Sequence, residues 1–116
     1  MQYILLNYVV EAGWGALDDA QKQAGLGAYR AYVDAMAKAG VLKASTGLQQ
    51  TRSATSVRIR EGKTQVLDGP FAETREQLGG FHIVDVPDLD AALLWAARCP
   101  TALFGTVEVR PLNEML

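Results

Sequence analysis

The segment Gln2-Tyr3-Ile4-Leu5-Leu6-Asn7-Tyr8-Val9-Val10 is apolar at odd and even positions alike. It holds no Gly or Pro, and its length and β-branched content favour a strand over a helix. Tyr3, Leu5 and Val9 share one face, and Ile4, Leu6, Tyr8 and Val10 share the other. A strand of this kind is covered on both sides. Residues 81–86 repeat the pattern before Pro87 ends it: Phe81, Ile83 and Asp85 face one way, His82, Val84 and Val86 the other. In so short a chain, helices are expected to cover one face, and something else must cover the second.

Working outward, residues 11–17 contain Gly13, Trp14 and Gly15 and read as a loop. Asp18 is a helix N-cap, its carboxylate accepting the free N–H groups of the first turn. Leu26, Tyr29, Val33, Met36 and Ala37 recur at helical spacing, and Gly40 suits the C-terminal end. Gly25 and Gly27 each weaken a helix by about 1 kcal/mol relative to Ala, so a firm helix is predicted only over 26–39. A short strand follows at 41–44, then a polar loop over 45–54. Residues 55–60 and 63–67 flank Glu61-Gly62, a two-residue hairpin turn. That turn sets Ile59 opposite Thr64, Val57 opposite Val66, Arg58 opposite Gln65 and Arg60 opposite Lys63, with one largely apolar face expected to be buried. Residues 72–78 are predicted as a short helix, with Glu73 and Glu76 near its N-terminus. Asp88 caps a helix carrying Leu89, Ala92, Leu93 and Ala96 and ending near Cys99-Pro100. A last strand covers 105–110.

The 116 residues fit a single domain, 1–116, because two cores would leave about 58 residues each. With 49% hydrophobic residues and a net charge of −2, the chain is not disordered as a whole and has no general basic footprint for nucleic acid. One Cys and one His exclude an intramolecular disulfide and a Cys/His zinc cluster. No cofactor is expected. No basic n-region precedes the first apolar stretch, and no apolar run approaches the roughly 18 residues of a membrane span. A cytoplasmic location is expected.

Without the hairpin, the order is strand, helix, strand, strand, helix, strand. This is the α+β, ferredoxin-like βαββαβ pattern with an inserted β-hairpin. Right-handed crossovers put both helices on one face of the sheet. The other face would then be apolar and bare, which marks a partner site. The simplest partner is a second copy, sheet against sheet, in a homodimer.

The stretch Val66-Leu67-Asp68-Gly69-Pro70-Phe71-Ala72-Glu73-Thr74-Arg75-Glu76-Gln77-Leu78-Gly79-Gly80-Phe81 resembles the YCII-related family, in the branch named for its DGPF motif. Tyr3-Ile4-Leu5-Leu6, Gly40-Val41-Leu42, Gly47-Leu48 and the 57–62 hairpin are similar in order and spacing. So are the 85–92 stretch, Trp95-Ala96-Ala97-Arg98 and the 107–111 stretch, so the resemblance covers nearly the whole chain. It implies a dimeric α+β barrel, two ferredoxin-like subunits with their sheets facing. For the family an enzymatic role has been suggested from a His and Asp pair, and the branch is often encoded beside extracytoplasmic-function sigma factors. The wider family's His sits in the first helix, where this chain offers Tyr29, Arg30 and Tyr32. His82 falls where the branch is commonly aromatic.

Asp68 and His82 are the catalytic candidates. Asp68 either ends a strand and bonds nearby N–H groups in its turn, or holds a carboxylate at a pocket rim as general acid or base. His82 is either a semi-buried ring bonded to a neighbour or a proton-transfer group, the one side chain titrating near neutrality. Gly69, Pro70 and Phe71 would line the same pocket. Tyr29 has core spacing, and Arg30 is either solvated surface or a clamp for a ligand carboxylate. Trp14 is either a lid or a plug at the end of the core. Arg52, Arg58, Arg60 and Lys63 make a basic patch on the hairpin, either a solvated face or a contact for an acidic partner. Gly79-Gly80 is expected to let the chain enter the sheet closely packed, and Cys99 to be inert. Two functions remain open beside a purely structural dimer with no ligand. One is an enzyme acting on a small apolar or aromatic molecule between sheet and helices. The other is a ligand-binding or regulatory module linked to transcription through a protein partner.

Overall fold

A computed structural model describes residues 1–115. Its strands are β1 (Gln2–Val9), β2 (Leu42–Gly47), β3 (Thr55–Arg60), β4 (Lys63–Asp68), β5 (Gln77–Asp85) and β6 (Thr106–Pro111). Its helices are α1 (Glu11–Gly15), α2 (Asp19–Lys38) and α3 (Leu89–Arg98), with 3-10 turns at Thr51–Ser53 and Pro100–Leu103. β2, β5, β1 and β6 form one antiparallel sheet in that order, and β3 and β4 form a separate hairpin. Two interleaved βαβ units, β1-α2-β2 and β5-α3-β6, produce this order, so the ferredoxin-like expectation is met.

Tyr3, Leu5, Val84 and Val86 of the sheet pack with Tyr32 and Met36 of α2 and Ala92 and Ala96 of α3, which puts both helices on one face. Leu5 and Met36 are fully buried. The opposite face carries Ile4, Leu6, Tyr8, Phe81 and Ile83, all half-buried, with no helix over them. Ile4 pairs with Ile83 and Leu6 with Phe81, so these side chains form one stripe. Thr106, Glu108 and Arg110 of β6 flank it.

The structure departs from the sequence reading at five places. Helix α2 starts at Asp19, not 26, because Asp18 and Gln21 close a full capping box that offsets the glycines. Gly25 lies beneath the Trp14 ring, where a Cβ would stand 3.1 Å from the indole. Residues 11–15 form α1 rather than loop, held by Glu11, which accepts from Thr51 N and Oγ1 at 2.8 Å each. β2 runs on through Gly47, because Ser45 and Gly47 pair with His82 and Gly80. Residues 72–78 form no helix: Gln77 and Leu78 pair with Val9 and Tyr8, and Gly79 is the extra residue of a bulge. A Cβ on Gly80 would stand 2.8 Å from the Thr46 carbonyl oxygen, so the close entry expected of the glycine pair is present. Finally, the hairpin has the expected register, but its apolar face is not buried within the chain: Val57, Ile59 and Val66 are 65%, 64% and 63% exposed. Among the described residues no helix is long and apolar enough to cross a membrane.

Candidate functional site

His82 stands in the middle of β5 on the helix-covered face, and its side chain is buried. The strand alternation that places Val84 and Val86 in the core places His82 there too. Its neighbours across the sheet are Leu5 of β1 and Ser45 of β2. Asn7 Nδ2 lies 3.1 Å from His82 Nε2, and Ser45 Oγ lies 2.8 Å from Nδ1. The Cys99 thiol meets Asn7 Oδ1 at 3.6 Å. These contacts form one consistent chain. Cys99 donates to Asn7, Asn7 donates to Nε2, and a proton on Nδ1 is donated to Ser45. The Tyr32 ring stands edge-on to the imidazole, 5.3 Å between centroids.

The electrostatics agree with that assignment. Burial holds the His82 imidazole below its ordinary value and so favours the neutral ring. Burial pushes the Cys99 thiol up, which keeps it protonated and unreactive. Ser45 is half-buried on β2, an outer strand of the sheet, and is therefore the link in the chain nearest to solvent.

Asp68 ends β4 opposite Thr55, exposed. Gly69 follows at φ +93°, donates its N–H to Ala54 O at 2.7 Å and accepts from Ser56 Oγ at 2.9 Å. The Asp-Gly-Pro turn therefore ties the hairpin base together through Gly69. The Asp68 carboxylate makes no hydrogen bond or ion pair among the described residues, so turn-capping does not account for it. Pro70 is exposed, and Phe71 is 82% exposed. No hydrogen bond links Asp68 to His82 within the chain; they lie on different sheets.

The remaining candidates scatter. Tyr29 is half-buried on α2 with its hydroxyl 2.6 Å from Thr101 Oγ1, and burial raises its pKa. Arg30, one residue on, is exposed. Tyr32 donates its hydroxyl to Trp95 O at 2.7 Å, and burial strongly raises its pKa. Trp14 packs its ring on Gly25, joining α1 to α2.

Two open clefts border this frame. One, ≈ 610 Å³, lies on the helix-free face between Tyr8, Thr106, Glu108 and residues 74–76. The other, ≈ 390 Å³, lies along Ala28, Ala31 and Ala35 of α2 and is closed by Arg98, Pro100 and Leu103. Neither is lined by His82 or Asp68. Among the described residues no group of three or more His, Cys, Asp or Glu side chains could hold a metal ion.

Asn7 and Ser45 are the residues that sequence reasoning missed. Asn7 carried a signal: it shares the parity of Tyr3 and Leu5, and a polar residue on a core face must find a hydrogen-bond partner. Ser45 carried none, being one of several polar residues after a short apolar run.

A family model, the YCII-related domain, matches residues 1–116. An uncharacterized protein of Rhizobium meliloti (strain 1021) is 40% identical over 118 residues, covering 97% of this chain and 92% of that protein. Among solved structures, 5-chloro-2-hydroxyhydroquinone dehydrochlorinase (TftG) from Burkholderia phenoliruptrix AC1100, in complex with 2,5-dihydroxybenzoquinone, matches with a TM-score of 0.58. That match has 11% sequence identity and covers 97% of this chain and 94% of TftG, which shows a shared fold.

Proposed function

We propose, from the premise that this chain belongs to the YCII-related family, that it is a homodimeric enzyme that moves a proton on a small molecule. The observation that carries this reading is the imidazole of His82, gripped at both nitrogens by Asn7 and Ser45. A neutral ring in one tautomer is what a general base requires. His82 itself is buried, so it is reached through Ser45 Oγ, and Nδ1 takes the hydroxyl proton in the other tautomer, in which the Asn7 amide has turned so that Oδ1 accepts from Nε2–H. Asp68 is the second acid–base group: an exposed carboxylate in the DGPF motif with no structural partner. The two groups are not joined within one chain, and a second copy is the source of the missing proximity. No resident metal or organic cofactor is part of the scheme.

The substrate class is a small hydroxylated aromatic or quinone. This rests on the fold shared with TftG, a dehydrochlorinase whose structure holds 2,5-dihydroxybenzoquinone. The test is turnover of hydroxylated hydroquinones and benzoquinones, followed by absorbance. His82→Asn, Ser45→Ala and Asp68→Asn should each lower kcat/KM by about 100-fold or more, with unchanged far-ultraviolet circular dichroism. Unchanged turnover in both His82→Asn and Asp68→Asn would remove the reading. Saturable binding with no turnover of any compound would instead support a ligand-binding module.

The homodimer is supported by the helix-free stripe of Ile4, Leu6, Tyr8, Phe81 and Ile83 with its polar flank on β6. An apolar centre with a polar rim is the anatomy of a protein interface.

A further inference from the structure

We infer that Cys99 is a positioning residue: its thiol orients the Asn7 amide, and that amide decides which nitrogen of His82 carries the proton. The consequence for proton transfer rests on the reading of His82 as the base, but the tautomer itself does not.

The two ends of a carboxamide have nearly the same shape, so hydrogen-bond partners choose between its two orientations. Asn7 is buried, and two groups meet its side chain. Nδ2 stands 3.1 Å from His82 Nε2, and Oδ1 stands 3.6 Å from the Cys99 sulfur. A thiol both donates and accepts weakly, so by itself it would tolerate either end. Thr101 gives this thiol a direction. It is fully buried and turns its backbone N–H and its hydroxyl toward the sulfur, which occupies the accepting side of Cys99. The S–H is left for Asn7 Oδ1. On the far side, the Tyr29 hydroxyl lies 2.6 Å from Thr101 Oγ1, and it donates there once the Thr101 hydroxyl is committed to sulfur.

One direction therefore runs from α2 to the sheet: Tyr29 to Thr101, Thr101 to Cys99, Cys99 to Asn7, and Asn7 to His82 Nε2. With Nε2 accepting, the proton of the neutral ring sits on Nδ1 and is donated to Ser45 Oγ at 2.8 Å. Turning the amide breaks the series, because Nδ2 would then face the S–H, donor against donor. Asn7 and Cys99 are both buried, so solvent offers no replacement partner. The thiol thus holds His82 with Nδ1 protonated, and it sets how often Nδ1 is free to take the Ser45 proton.

His82 is the only histidine in the chain, so nitrogen NMR of the imidazole in the full-length protein reads this site alone. Above the ordinary imidazole value, the intact protein should carry its proton on Nδ1, the tautomer that free histidine disfavours. Cys99→Ala should raise the ratio of the Nε2–H to the Nδ1–H form by about threefold or more, the worth of one modest hydrogen bond. Cys99→Ser keeps a donor at the same place and should keep the Nδ1–H form. If Cys99→Ala does not fold, Cys99→Val, closer in volume and equally without a donor, gives the same reading. A proton on Nε2 in the intact protein, or an unchanged ratio in the donor-less variant, overturns the inference. So does an equal shift in Cys99→Ser, which would assign the effect to packing. No turnover is needed for this readout, so its failure and that of the enzymatic reading are told apart.

Discussion

His82 is the side chain on which sequence, burial and chemistry converge. Burial holds its folded pKa below the ordinary 6.5, so the unfolded chain takes up that proton more readily than the folded one. Its contribution is therefore fully present above the unfolded value. It is lost as pH falls through that value toward the folded one. Urea midpoints of the intact protein should drop between pH 7.5 and 5.5, conditions chosen to bracket roughly the free imidazole value, and His82→Asn should drop less over the same interval. An equal drop in both would place the titration elsewhere. Gly105 is a second residue whose neighbours fix its identity. A Cβ there would run into the carbonyl oxygen of Tyr8 and crowd Thr101. Gly105→Ala should cost about 1–3 kcal/mol in denaturant unfolding, against no effect if the strand simply shifts.

Among the elements, the two aspartate caps were the most legible, although a firm helix was expected only from residue 26. Asp18 and Asp88 were read as caps, and each accepts a backbone N–H, from Gln21 at 2.7 Å and Ala91 at 2.9 Å. Asp18→Ala should cost about 1 kcal/mol, read as a lower thermal midpoint with the helical circular dichroism signal retained below it. The hairpin register was equally legible, because a two-residue turn with Glu61 and Gly62 at positive φ fixes every pair beyond it. The misread elements share a cause. Residues 72–78 have helix-forming composition, yet Gln77 and Leu78 become strand through their partners on β1. Residues 19–25 looked too glycine-rich for a helix, yet Gly25 is where the Trp14 ring fits. At Gln77 and Leu78 a contact distant in sequence outweighed a local preference, whereas over 19–25 the Asp18–Gln21 capping box offset glycines that cost about 1 kcal/mol each.

At the level of the whole molecule, one helix layer on a four-stranded sheet leaves the second sheet face without cover. Leu6 sits in the middle of that face, opposite Phe81 and Glu108 on its two neighbouring strands. In the proposed homodimer, Leu6→Asp should shift the equilibrium toward monomer in sedimentation, because a carboxylate would be desolvated at the centre of the contact. A dimer of unchanged affinity would place the interface on another surface.

The two-sided apolar runs in residues 2–10 and 81–86, the two aspartate caps and the Glu61-Gly62 turn are local signals, and they determined the strands and caps they cover and the ferredoxin-like order. They did so because side-chain periodicity and turn geometry depend on near neighbours. Only the tertiary structure decided that His82 lies between Asn7 and Ser45, residues 75 and 37 positions away. It also decided that Asp68 stands exposed on another sheet, and that the hairpin's apolar face finds no cover within the chain. Those outcomes depend on which strands become neighbours, and strand order follows from burying the shared core rather than from any short stretch of sequence.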